Sequence, residues 1–160
     1  MTFTSKEQIF LSIDLTIPIL TTLAFFILNY LHKINTGILL AYIWGIFIGC
    51  LWEIPFGLLG SKFLMMKISN PFGFGIHIIH AFWDSIIFMI GLYFINIRIN
   101  NKLCGLAQLG LMIVWGVIQN FIVELVCNNN YWYYQTDNPY NPTLFTINNN
   151  TFTCLPFMVW

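Results

Sequence analysis

The sequence predicts an all-α, polytopic integral membrane protein: four transmembrane helices in an antiparallel bundle, followed by a partly irregular C-terminal tail. Three observations predict it. Of the 160 residues, 58% are hydrophobic and only 8% are charged, whereas a soluble domain carries about 25% charged residues. The apolar residues gather into four runs of more than 20 residues each. At 1.5 Å rise per residue, such a run crosses a hydrocarbon core of ~30 Å. The runs are also apolar all round, so a water-soluble fold would expose aggregating patches, whereas lipid solvates them.

The first run covers residues 8–31. It carries Asp14 and Pro18, is longer than the apolar core of a signal peptide and lacks a small-residue cleavage site, so it reads as a retained helix. The second covers 36–60. Between the two, His32 to Asn35 is a tight link that makes them antiparallel neighbours. The third covers 76–97 and the fourth 103–127, joined by a short link from Arg98 to Lys102. Arg98 and Lys102 read as boundary anchors.

The middle connection, Ser61 to Gly75, is bracketed by Pro55-Phe56-Gly57 and Pro71-Phe72-Gly73. Proline ends or kinks helices and glycine permits positive φ, so both copies read as breaks. Lys62 to Lys67 reads as an interfacial piece with snorkelling lysines. Residues 1–127 thus form the bundle. The aromatic, Asn-rich tail, 128–160, either packs at the membrane interface or begins a further segment. Its Tyr131, Trp132, Tyr133 and Tyr134 suit the membrane–water boundary. Lys6, Lys62 and Lys67 fall on one side and Lys33, Arg98 and Lys102 on the other, so charge does not set an orientation.

Six acids balance six bases, and no basic run exists. Nucleic acid, which is held by clustered Lys and Arg, is excluded as a partner. The lipid bilayer is the expected partner, with a lipid-like small molecule as substrate; the sequence is also compatible with an oligomer. Cys50, Cys104, Cys127 and Cys154 are scattered without a CxxC, so a zinc ribbon has no support. Cys127 and Cys154 fall on one side and could pair in an oxidising compartment.

Four of the six acids lie inside the apolar runs, one per run: Asp14, Glu53, Asp84 and Glu124. An acid at mid-helix costs roughly 2.5–3.5 kcal/mol to insert, so such residues face the bundle interior and have partners. With alternating helix direction, all four fall toward one face of the membrane, where no Lys or Arg lies at their depth. His77, His80 and Asp84, spaced i, i+3, i+7, share an arc of roughly 60°. Asn120 and Gly116 share the helical face of Glu124, with Gln119 nearby. Gly37, Ala41, Gly45, Gly49, Glu53 and Gly57 recur every four residues, a spacing that lets helix backbones approach closely.

This polar set supports three chemistries. Imidazoles and carboxylates from several helices can ligate a divalent metal such as zinc or iron, and His77, His80 and Asp84 are the candidate ligands. Carboxyl groups and imidazoles kept out of water can serve as general acids and bases. Glu53, Asp84, Glu124 and His80 are the catalytic candidates, and Trp52, Trp83 and Asn120 the candidates for holding substrate. Acids and histidines within spans also mark proton or small-cation pathways. A non-catalytic assembly subunit, its acids satisfied within the bundle, is the remaining reading.

The run His77-Ile78-Ile79-His80-Ala81-Phe82-Trp83-Asp84 resembles the His-and-acid helix of the emopamil-binding sterol isomerases. Those are small helical membrane proteins with acids and tryptophans around a lipid cavity. The likeness covers under a tenth of the chain, and the order of the acidic helices differs. It implies acid–base chemistry on a lipid-like substrate, as in an isomerase or cyclase; a metal-dependent hydrolase is the alternative if metal binds.

Overall fold

The computed structural model describes residues 4–68, 71–95, 105–136 and 138–159. The chain is mostly helical, and among the described residues four helices are long and apolar enough to cross a membrane: α1 (Ser5–Tyr30), α2 (Thr36–Leu59), α3 (Gly75–Tyr93) and α4 (Gly105–Cys127). Their surfaces carry exposed large apolar side chains, such as Leu20, Leu23, Phe47, Leu51, Ile118 and Ile122. Polar groups lie inside: Asp14, His77, Asp84, Ser85, Gln119, Asn120 and Glu124 are all buried. Apolar outside and polar inside is the arrangement that lipid as solvent favours. The chain divides into two compact units, Met1–Gly57 with Ser69–Met89, and Leu58–Ile68 with Ile90–Trp160.

The first unit holds α1, α2 and most of α3. Helix α1 begins three residues before the apolar run because Thr4 and Glu7 form a capping box. Glu7 accepts the Thr4 backbone N–H at 2.8 Å, and the Thr4 hydroxyl accepts that of Glu7 at 3.4 Å. At its other end His32 takes φ 54°. The His32 and Lys33 N–H groups reach back to the carbonyls of Asn29 and Leu28 at 2.9 and 2.8 Å, a Schellman closure. Asn35 then caps α2, its Oδ1 accepting the Ile38 N–H at 2.9 Å. The four-residue link of the sequence is thus a helix stop followed at once by a helix start.

Only one of the two Pro-Phe-Gly copies breaks a helix. Pro71-Phe72-Gly73 forms the turn before α3, with Gly73 at φ 53°. Pro55-Phe56-Gly57, expected as a break, lies within α2, which runs on to Leu59. An interior proline removes one helical hydrogen bond, and packed transmembrane helices tolerate that loss. Here Phe56 is buried, and Gly57 lies against Phe74 and His77.

The glycine spacing of α2 is a seam against α3. A Cβ on Gly49 would stand 2.9 Å from the Ala81 backbone, and one on Gly45 would stand 3.1 Å from the Ser85 Cα. The Ser85 hydroxyl donates to the Tyr42 carbonyl across the seam. On the α1 side, Tyr42 stacks on Phe25 with ring centroids 4.3 Å apart and shares a 2.7 Å hydrogen bond with Thr22. Gly37 meets only the side chain of Asn35 and belongs to the cap instead.

The second unit contains the end of α3, α4 and the tail. Trp115 of α4 packs against Gly91, where a Cβ would meet its indole ring. The segment expected as an interfacial piece is a 3-10 turn, Gly60–Lys62, and a strand β1 (Leu64–Met66). Lys67 donates to the Asn129 carbonyl at 2.9 Å and lies over the Tyr133 ring. Strand β1 pairs antiparallel with β2 (Trp132–Tyr134), Leu64 opposite Tyr134. Strands β3 (Thr143–Ile147) and β4 (Asn150–Thr153) form a hairpin, and a short helix α5 (Cys154–Val159) follows. Asn148 and Asn149, both at positive φ, make the hairpin turn.

The tail folds onto α4. Phe121 of α4 packs on Phe145 and Phe152, with centroids 6.4 and 5.4 Å away, and Asn128 donates to the Thr151 carbonyl at 2.7 Å. Cys154 is a free thiol, so the Cys127–Cys154 pairing is not formed. The Arg98–Lys102 link and Cys104 lie outside the described residues.

Candidate functional site

The first unit brings together the candidates Glu53, His77, His80 and Asp84, with Trp52, Trp83 and Asp14 beside them. The α2–α3 seam sets Glu53 facing His77, whose Nδ1 is 2.9 Å from Glu53 Oε2. One turn on, His80 lies between two acids. Its Nε2 is 3.3 Å from Asp14 Oδ2, and its Nδ1 is 3.9 Å from Glu53 Oε2. The side chains are 8–14% exposed. Asp14, His80, Glu53 and His77 thus form a row from α1 through α3 and α2 and back to α3, its His80–Glu53 step, at 3.9 Å, longer than a direct hydrogen bond. Its basic members are imidazoles rather than Lys or Arg.

Asp84 lies one turn beyond His80 on α3. Its carboxyl is hydrogen-bonded by the indole of Trp52 and lies in the field of both Glu53 and His80. Its Oδ2 packs on Gly49, 2.8 Å from where a Cβ would be, and has no hydrogen-bond partner among the described residues. A side chain at Gly49 would displace this carboxyl, so the seam and the polar cluster depend on the same glycine.

Asp14 is one of the four acids that the sequence places inside the apolar runs, but it is not among the candidate catalytic or metal-ligating residues. The signal that finds it is Pro18. Proline has no N–H, so the Asp14 carbonyl at i−4 loses its helical donor. The Trp83 indole supplies one, donating to the Asp14 carbonyl at 3.1 Å. Trp83, a substrate-binding candidate, here ties α3 to α1 and holds Asp14 against His80.

Glu124 and Asn120 belong to the second unit. Glu124 accepts a 3.0 Å hydrogen bond from the Tyr134 hydroxyl on Oε1, and the Trp132 indole lies beside the same carboxyl. Tyr134 and Trp132 are two residues apart on β2 and so share a face. The sequence marked both as boundary aromatics rather than as partners of Glu124, because a three-residue strand leaves almost no periodic signal.

Among the described residues no three His, Cys, Asp or Glu side chains converge as metal ligands must. Zinc and iron take three or four such ligands around one point. The His77 and His80 rings stand 6.3 Å apart and edge-on, turned to carboxylates of different helices. The expected set of His77, His80 and Asp84 therefore gains no support as a metal centre.

Beside the row, α1 and α3 enclose an open groove of about 230 Å³ lined by Leu15, Pro18, Ile19, Leu23, Ile79 and Phe82, with Thr22. Leu15 and Ile79 are the chain neighbours of Asp14 and His80. No family model, curated protein or solved structure matches the chain. The likeness of His77–Asp84 to the sterol isomerases thus remains a likeness of one helical stretch.

Proposed function

We propose that this chain is a multi-pass membrane protein whose first unit is an acid–base centre acting on a lipid-like substrate. The observation that carries the proposal is the row Asp14–His80–Glu53–His77, in which His80 faces a carboxylate through each ring nitrogen. An imidazole so placed takes a proton at one nitrogen and releases it at the other, which is what a general acid–base pair requires. The groove beside it supplies the substrate class. Its lining is apolar but for one hydroxyl. It is smaller than the roughly 300–1,000 Å³ pockets that engulf whole ligands, so it would grip one chain or ring of a molecule dissolved in the bilayer. Glu53, Asp84 and His80 are the catalytic residues of this reading, His77 orients Glu53, and Trp52 orients Asp84.

Isotope exchange tests it. The purified protein, reconstituted with a total lipid extract in heavy water, should move deuterium into carbon positions of a lipid, read by mass spectrometry. His80→Gln should slow this about 100-fold or more, the usual contribution of a positioned acid or base. Absence of exchange into any lipid would overturn the enzyme reading. The row itself favours a second reading, proton handling without a substrate. In that case liposomes holding wild-type protein would dissipate an imposed pH gradient, and liposomes holding His80→Gln would not.

A further inference from the structure

The hairpin and short helix of the second unit present an apolar surface that their own packing leaves open. Residues 138–160 contain no Asp, Glu, Lys or Arg, whereas about a quarter of the residues of a soluble domain are charged. On β3, Leu144, Phe145 and Ile147 are 49%, 40% and 38% exposed, and Met158 of α5 is 74% exposed. An uncharged surface with large apolar side chains is one that lipid covers more readily than water.

Hydrogen bonds and ring contacts fix the depth of this surface along α4. The hairpin turn stays at the helix end, where Asn129 donates to the Asn149 carbonyl at 2.8 Å and Asn128 to the Thr151 carbonyl at 2.7 Å. From there the strands run back beside the helix. Phe145 and Phe152 both reach Phe121, and Phe157 of α5 packs on the pair. Helix α4 ends at Cys127, so Phe121 lies roughly 9 Å below that end at 1.5 Å per residue. Around Phe121, the α4 side chains Ile118, Ile122 and Leu125 are exposed, as expected of a helix facing lipid. Phe145 and Ile147 alternate on the side of β3 turned to Phe121, so their exposed parts continue the lipid-facing surface of α4.

The backbone sets the opposite limit. Strand β3 is paired along one edge only, with β4. An open strand edge is not tolerated in hydrocarbon, where nothing hydrogen-bonds it, but headgroups and their water can do so. Apolar side chains at the depth of Phe121 and an open edge together fit the boundary between headgroups and acyl chains. Interfacial elements sink roughly 5–10 Å into that boundary.

We propose that β3 and α5 dock into the headgroup–acyl boundary of the bilayer that α4 crosses, with Leu144, Phe145, Ile147 and Met158 against lipid. This contact is independent of the acid–base row and stands whether or not that row turns over a lipid.

Photolabelling of the wild-type protein tests it. The protein is reconstituted in phosphatidylcholine vesicles containing a lipid with a carbene precursor on an acyl carbon next to the headgroup or, separately, at the chain end. After irradiation, adducts are mapped by mass spectrometry. The shallow probe should label Leu144, Phe145, Ile147 and Met158 at levels comparable to Ile122. The deep probe should label Val114 of α4 and leave the hairpin unlabelled. Hairpin residues that neither probe labels, while Ile122 is labelled, would overturn the proposal, whether water or a second copy of the chain covers them. Leu144→Asp provides a second reading against Leu144→Thr, which keeps a strand-forming residue without charge. In vesicles the Asp variant should melt at a lower temperature than the Thr variant; equal melting would place Leu144 in water and overturn the docking.

Discussion

At the scale of single residues, the Asp14 carbonyl shows how a defect in one helix becomes a link between two. Pro18 cannot donate to it, and Trp83 does. Replacing Trp83 with Phe keeps the ring and removes the donor, leaving a carbonyl unmet, at a cost of about 1–3 kcal/mol. In a Pro18→Ala background the new N–H supplies the helical bond, so the same replacement should cost less by about 1 kcal/mol. Denaturation of the four proteins of this double-mutant cycle measures the coupling; additive costs would show that Trp83 and Pro18 act independently. The acids were legible in the sequence as intramembrane charges needing partners, and so was the shared face of His77, His80 and Asp84. Which acid meets which imidazole was not. Pairing Asp14 with His80 and Glu53 with His77 depends on rotamers and on the rotation of each helix about its axis, which spacing along one chain does not specify.

At the scale of elements, the glycines of α2 separate two effects of a missing side chain. Gly49→Ala should destabilise the protein by about 1–3 kcal/mol, as overpacking does, because its Cβ meets the Ala81 backbone, which cannot yield as a side-chain tip can. Gly110→Ala should be neutral or stabilise by up to about 1 kcal/mol, since nothing lies within 4 Å of its Cβ and alanine is the better helix former. Thermal melts of the two variants side by side check the contrast; equal effects would mean that the seam is not tightly packed. The four-residue spacing announced this seam in the sequence. The same sequence suggested a break at Pro55, wrongly, because a local signal for ending a helix yields where the chain beyond the proline is apolar and Phe56 is buried. Strands β1 and β2 were invisible for the opposite reason. Each is three residues long, and they pair across more than 60 residues of chain, so no local pattern records them.

At the scale of the whole molecule, four apolar helices with outward-facing leucines, isoleucines and phenylalanines predict a protein that stays in the membrane fraction after alkaline carbonate washing and leaves it only with detergent. Release by carbonate would contradict the multi-pass reading. The division into units does not follow the bundle-and-tail boundary at residue 127. The tail shares a unit with α4 and with residues 58–68 of the middle connection, because β2 pairs with β1 and the phenylalanines of the hairpin pack on Phe121. By itself, the sequence determined that the chain is helical, that four segments can cross a bilayer, and that each carries one acid. Hydrophobicity and length are local sums, and lipid as solvent reads them directly. Only the tertiary structure decided that Asp14 joins the histidines, that Glu124 lies under Tyr134 in the second unit, and that the tail closes over the end of α4. Those outcomes rest on close approach between segments far apart in the chain, where a glycine, a missing N–H or a strand register selects the partner.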